Sequence, residues 1–273
     1  MPPAALGLVL LSAVLHASWN LVVKASRDRL AAAWMQTTIG ALVFAPVLIV
    51  QGVPSERWGS LAVSAVFHLG YALTLVAAYD RGDLSVVYPI ARGSAPLLVM
   101  LGAALLLDDT PGAGGVAAVI LIAGGILSMV RRSRGGVAWA LACGGFIAGY
   151  TLVDGSAVRA DGGSLRYVVT LIGLNAITLL VVMVVRRTPA GMLEALQRDG
   201  WRNAFAGSAS VVAYALVLTA ARWAPLGLVS AVRETSVILG ALGGWLLLHE
   251  PFGPARLRAS ALIAVGLMVL VLA

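Results

Sequence analysis

Charge is what this chain has least of. Only 11% of its 273 residues are charged and 60% are hydrophobic, where a soluble domain is about a quarter charged and half apolar. That balance excludes an ordinary globular enzyme. Acids are scarcer than bases, 12 against 19, which leaves a net charge of +7. The bases sit in short stretches between apolar segments, with no basic groove and no interleaved aromatics, so no nucleic-acid partner is expected. Cysteine occurs once, at Cys143, which rules out a disulfide framework and a thiolate metal site. The three histidines, His16, His68 and His249, are scattered. No cofactor or metal is called for, and a membrane-embedded enzyme lacks its nucleophile–base pair. A ring-forming filter motif is missing as well, which argues against a channel. No basic n-region precedes the first apolar segment, so that segment is expected to be retained rather than cleaved.

Apolar runs are what the chain has in abundance. Ten segments reach membrane-spanning length, at 4–23, 31–50, 60–79, 84–107, 113–130, 137–154, 166–185, 202–221, 226–248 and 257–273. They predict an all-α membrane protein with ten transmembrane helices. The longest connection, 186–202, contains PAGMLEALQRD and reads as a short interfacial helix. Loop cations are unequal: thirteen lie on one side and four (Arg57, Arg159, Arg166, Arg222) on the side of the N-terminus. The positive-inside rule then puts both termini outside the cytoplasm of a bacterial-type inner membrane, in a multi-pass arrangement. The two arginines not in that count are Arg92 and Arg233, each inside an apolar segment.

Those two arginines share a register. RGDLSVVYPIARGSAPLLVMLGAALLLDDTP at 81–111 is echoed by RWAPLGLVSAVRETSVILGALGGWLLLHEPF at 222–252. Arg81 falls over Arg222, Arg92 over Arg233, and Asp109 over Glu250. ASWNLVV at 17–23 likewise falls over AGYTLVD at 148–154, pairing Trp19 with Tyr150 and Asn20 with Thr151. The chain divides into two five-helix repeats, 1–135 and 136–273. Five is odd, so the second copy enters the membrane the other way round. An inverted repeat with a site near the midplane is the usual build of a secondary transporter.

Polar residues line up along single faces. Ser12, His16, Asn20 and Lys24 recur every fourth residue, with Trp19 close by. Ser64, His68, Tyr71 and Tyr79 share one face, and Tyr150 and Asp154 another. Ser210 with Tyr214 makes a further pair. Ser85, Tyr88, Pro89, Arg92 and Pro96 form a proline-bent face, and Gly227, Ser230, Arg233 and Glu234 are its counterpart. Lipid penalises such stripes, so they are expected to face a shared cavity. The expected substrate contacts are Arg92, Arg233, Tyr88, Trp19, Asn20, His16, His68, Tyr71, Tyr150 and Ser230, with Glu234 as the coupling acid. Blander roles stand beside these. Arg92 and Glu234 form an ion pair in the structural reading, yet one carboxylate cannot neutralise two arginines. His16 and His68 read as interhelical hydrogen-bond donors rather than proton carriers. Asp154, near its segment end, and Asp108, Asp109 and Glu250, in loops, read as solvated. Gly240 and Gly244 make a GxxxG packing motif.

At these residues the chain resembles the EamA-type branch of the drug/metabolite transporter superfamily. The resemblance is carried by the block that ends each half: LLLDDTP or LLLHEPF, followed by a Gly-containing span, GVAAVILIAGGILSM or ASALIAVGLMVLVLA. The usual glutamate of that loop is matched by Glu250 and replaced by Asp109. HASWN at 16–20 with VVYPIARGSAP at 86–96 is similar, more narrowly, to permeases found with phosphonate-utilisation genes. The resemblance implies ten helices, a central cavity and alternating access. It leaves the substrate open, because fold analogy stops short of chemistry.

The expected function is a secondary transporter of a small polar metabolite, an amino acid or a carboxylate or phosphonate anion, possible to couple to protons. Its partners are a small-molecule substrate and the lipid bilayer, and it works as a monomer or homodimer. The alternatives are an exporter of hydrophobic or cationic compounds, or a non-transporting membrane assembly subunit.

Overall fold

In the computed structural model, the described residues are 1–26, 28–82, 84–106, 112–114, 116–117, 120–121, 124, 135–161, 164–185, 189–236, 238–239, 242, 246 and 254–272. They form α1 (Pro3–Ala25), α2 (Arg29–Gln51), α3 (Trp58–Arg81), α4 (Leu84–Leu106), α5 (Val137–Asp161), α6 (Ser164–Val185), α7 (Pro189–Ala221), α8 (Leu226–Arg233) and α9 (Pro254–Leu272). Among the described residues, seven helices are long and apolar enough to cross a membrane; they correspond to α1–α7. Helices are what a chain this poor in charge must form in lipid, because only internal hydrogen bonds can satisfy the backbone there. The expected segment 113–130 and the later part of 226–248 lie largely outside the described residues. So do Gly240, Gly244, Asp108, Asp109 and Glu250.

Local chemistry sets several ends. Asp28 accepts a hydrogen bond from the Ala31 N–H (2.9 Å) and caps α2. Gly52, at φ 75°, ends the same helix in a conformation that favours glycine. Two expected boundaries are corrected. α5 does not stop near Asp154 but continues to Asp161, since VDGSAVRA contains nothing that halts a helix once tertiary contacts hold it. The 189–199 stretch is not a separate interfacial helix, for it runs unbroken into the 202–221 segment as one helix, α7.

Helices of the first half pack mainly on helices of the second. α1 lies against α7, α2 against α6 and α7, and α3 and α4 against α5. Small residues allow this closeness. A side chain at Gly40 on α2 would meet the Gly207 carbonyl of α7 at 2.8 Å, so the two backbones touch there. A side chain at Gly144 on α5 would come within 3.0 Å of the Ala91 carbonyl, which seats the Arg92 helix directly on α5. The outer surface is apolar: Ile49, Val50 and Leu105 are each more than 80% exposed. Such a surface on a soluble protein would drive aggregation, whereas in a bilayer it is the lipid face.

Candidate functional site

The site is built from α4 and α8 on one side and from α1, α2, α3, α5, α6 and α7 on the other. α8 ends at Arg233, where the N–H of Glu234 turns to the Ala231 carbonyl, three residues back, at 3.0 Å. The α-helical ladder is therefore broken at the two charged residues, inside a segment that sequence reads as one continuous span. Arg233 occupies the last turn of α8, where a cation complements the negative end of the helix dipole. Its counterpart Arg92 lies within α4, which remains one helix through Pro89 and Pro96.

Glu234 joins the two arginines. Arg92 Nη1 donates to Glu234 Oε1 at 3.5 Å, and Arg233 Nε lies 3.9 Å from the same oxygen. All three residues are at most 3% exposed. Formal charges leave this cluster at +1. Among the described residues, Arg92 Nη2, Arg233 Nε and Glu234 Oε2 have no hydrogen-bond partner, an unusual amount of unused polarity for so buried a place. Arg92 also lies 5.7 Å from the centre of the Tyr88 ring, a cation–π arrangement.

Arg233 reaches further. Its Nη2 donates to the Tyr150 hydroxyl at 3.2 Å. Tyr150 stacks on His68, with ring centres 4.0 Å apart, while Tyr71 and Tyr214 meet it edge-on at 5.9 and 6.1 Å. His68 is oriented through Nδ1, 3.0 Å from the Ser64 carbonyl. Arg233 and these rings border a cavity of about 110 Å³, which His16, Trp19, Gln36 and Asn175 also line. A second cavity of about 100 Å³ shares Trp19, Gln36, Thr37, His68, Tyr71 and Asn175 with the first. It extends past Asn20 to Val23, Leu30 and Tyr79, toward the end of the bundle that carries the α1–α2 and α3–α4 loops.

The opposite end carries two side-chain ties. Arg159, on the last turns of α5, donates from Nε and Nη2 to the carbonyls of Ala221 and Ala224, each at 2.8 Å. Arg166 at the head of α6 pairs with Glu56, just before α3, at 2.6 Å. One tie joins α5 to the α7–α8 turn, and the other crosses from the second half to the first.

The expected site residues separate into groups. Arg233, Tyr150, His68, Tyr71, His16 and Trp19 surround one cavity, and Asn20 lines its extension. Asn20 also donates to the His16 carbonyl of its own helix at 2.8 Å. His16 sits edge-on to Trp19, with ring centres 4.8 Å apart. Arg92, Tyr88 and Glu234 belong to the ionic cluster, and Ser230 is buried nearby on α8 with a hydroxyl that has no partner among the described residues. The side chains of Ser85 and Lys24 lie outside the described residues.

Asp154 is the clearest departure. It was expected to be solvated, yet it is fully buried. Its Oδ1 accepts from the Tyr167 hydroxyl at 2.7 Å and its Oδ2 from the Tyr214 hydroxyl. The prolonged α5 explains this, because Asp154 lies inside the helix rather than at its end. Gln36 and Asn175 are residues the sequence reading passed over. Each is buried on the cavity wall with its amide oxygen unpartnered among the described residues. Each is also the one carboxamide of its apolar run, a signal that could have found them.

Comparison with known proteins bears on the first half directly. Residues 3–131 match the model of the EamA-like transporter family. The resemblance read from the residues is thereby supported, and with it the reading of a membrane protein from a transporter family. No curated protein matches the chain. One solved crystal structure superposes on this chain with a TM-score of 0.72 at 17% identity, over 100% of this chain and 98% of that one. At that identity the likeness concerns the fold alone. A transporter family also fits the broken helix, since interrupted backbone at membrane depth is tolerated where it lines a cavity.

Proposed function

We propose that the chain is a secondary transporter that moves a small polar metabolite bearing a carboxylate or phosphonate group, amino acids included, by alternating access. The observation that carries this reading is Arg233. It ends an interrupted helix, keeps an unpartnered Nε, and borders a cavity walled by helices of both halves. Its neighbour Glu234 is shared with Arg92, so the cluster retains one positive charge for an anionic group. The aromatic walls at Trp19, His68, Tyr71 and Tyr150 suit an apolar body on that substrate.

The proposed frame is the ten-helix inverted repeat, with halves 1–135 and 136–273. Supporting it, the α1–α7 packing is answered by α5–α3, the pair that an exchange of halves would produce. Under the loop-charge topology, both termini are non-cytoplasmic and the cavity extends toward the cytoplasmic end. The Arg159 and Arg166–Glu56 ties then close the outer end and must open for the other access state. Arg92, Tyr88 and Ser230 support the site from behind, with Arg92 holding Glu234.

Counterflow in proteoliposomes holding only this protein tests the function. A panel of labelled amino acids, phosphonates, organic phosphates and organic cations should yield exchange of an anion or zwitterion. Exchange of cations alone would overturn the anion reading, and no exchange at all would overturn transport by this chain alone.

A further inference from the structure

We infer that Asp154 is the proton-binding site through which transport is coupled, in place of the Glu234 that the sequence singles out. The inference rests on the transporter reading above, and it assigns a role to a residue that reading does not use.

Glu234 is poorly placed to take up a proton. Its Oε1 is within 4 Å of both Arg92 and Arg233. Neutralising it would leave two guanidinium groups buried with no counter-charge, a state proteins avoid strongly. Asp154 has the opposite surroundings. Its hydrogen-bond partners are neutral: Tyr167 on α6 and Tyr214 on α7, with Ser64 on α3 also facing it. No cation pairs with it among the described residues. Arg57, at the head of α3, makes no ion pair with Asp154 among the described residues and acts on Tyr167, the phenol that donates to it. The α8 pair Arg233–Glu234, and Arg92 of α4 through it, meets α5 at Tyr150, one turn earlier. A proton on Asp154 therefore removes a buried charge without orphaning another.

The event also has mechanical consequences. A carboxylate only accepts hydrogen bonds, whereas a carboxylic acid must donate one. When Asp154 takes a proton onto one oxygen, the phenol that donated to that oxygen has to turn or let go. No other bond is made or broken. Tyr214 is the partner that borders the cavity, and its ring packs edge-on against both Tyr150 and His68. Release of Tyr214 loosens α5 from α7 at the wall where Arg233 and the aromatic rings meet. Tyr167 is the partner within a buried core shared by α3, α5, α6 and α7, together with Leu61, Val168, Leu171 and Leu218, and it holds Asp154 in place as α7 shifts.

Infrared difference spectroscopy of the lipid-embedded full chain, acid minus alkaline buffer, reads the proton without a substrate. The wild type should show a protonated-carboxyl band that Asp154→Asn abolishes and Glu234→Gln leaves. A band that persists in Asp154→Asn, or vanishes only in Glu234→Gln, would overturn the assignment. In proteoliposomes, Asp154→Asn should keep counterflow of the panel compound within about twofold while losing about tenfold or more of the accumulation driven by a pH gradient. Retained gradient-driven accumulation would overturn the role. Tyr214→Phe leaves the carboxyl group in place and covers the case of a poorly folded Asn variant. It should keep the band but displace the pH at which it appears, and an undisplaced band would break the link to the cavity. A wild type that fails in counterflow would sink the transporter reading itself, whereas a wild type that exchanges normally but ignores the pH gradient would sink only the coupling site.

Discussion

Arg92 and Arg233 occupy equivalent positions in the two halves, yet the structure treats them differently. Arg92 sits within a continuous α4, its charge spent on Glu234 and the Tyr88 ring. Arg233 ends a broken α8, touches Tyr150 and borders the cavity. The same residue in the same register thus holds Glu234 in one segment and borders the cavity in the other. The cause is the placement of the carboxylate. Glu234 follows Arg233 and falls over Gly93 in the first half, so only one of the two segments carries its own counter-charge. In the proposed repeat the frame is symmetric, and a single unmatched acid gives the proposed site a front and a back.

That asymmetry can be attacked at several points. Glu234→Gln should have the largest effect on stability, because it leaves both guanidinium groups without their carboxylate. Breaking such a buried pair costs about 3–5 kcal/mol, to be read as a fall in thermal midpoint in lipid or mild detergent. Arg92→Met should cost less, about 1–3 kcal/mol, since Arg233 remains 3.9 Å from Glu234. It should keep counterflow within about twofold of wild type at equal amounts of folded protein. Loss of transport with unchanged stability in Arg92→Met would make Arg92 a contact and dissolve the contrast. Tyr150→Phe should be milder again. It removes one hydrogen bond to a charged group, and a threefold to tenfold rise in the counterflow KM is expected for a loss of about 1 kcal/mol or slightly more. An unaltered KM would mean that Tyr150 does not orient Arg233.

Much of this was legible before any coordinates. The apolar runs gave α1–α4, α6 and the last part of α7 nearly to the residue, because in lipid the backbone has one helical solution. The spacing of His16, Trp19 and Asn20 on α1 and of His68 and Tyr71 on α3 identified the cavity walls. What escaped had physical reasons. The break at Arg233 depends on where one N–H finds its carbonyl, and no proline or glycine marks it. The burial of Asp154 depends on phenols from two other helices, 13 and 60 residues away in sequence. Gln36 and Asn175 each stand alone in an apolar run, so no periodicity drew attention to them, although their isolation was itself informative.

The most direct test of the central claim is counterflow measured side by side for wild type, Arg92→Ala and Arg233→Ala, each normalised to folded protein in the liposomes. The account predicts that exchange of an anionic or zwitterionic substrate is lost in Arg233→Ala, with the chain still folded, and survives in Arg92→Ala. Undiminished exchange in Arg233→Ala, or equal loss in both variants, would contradict it.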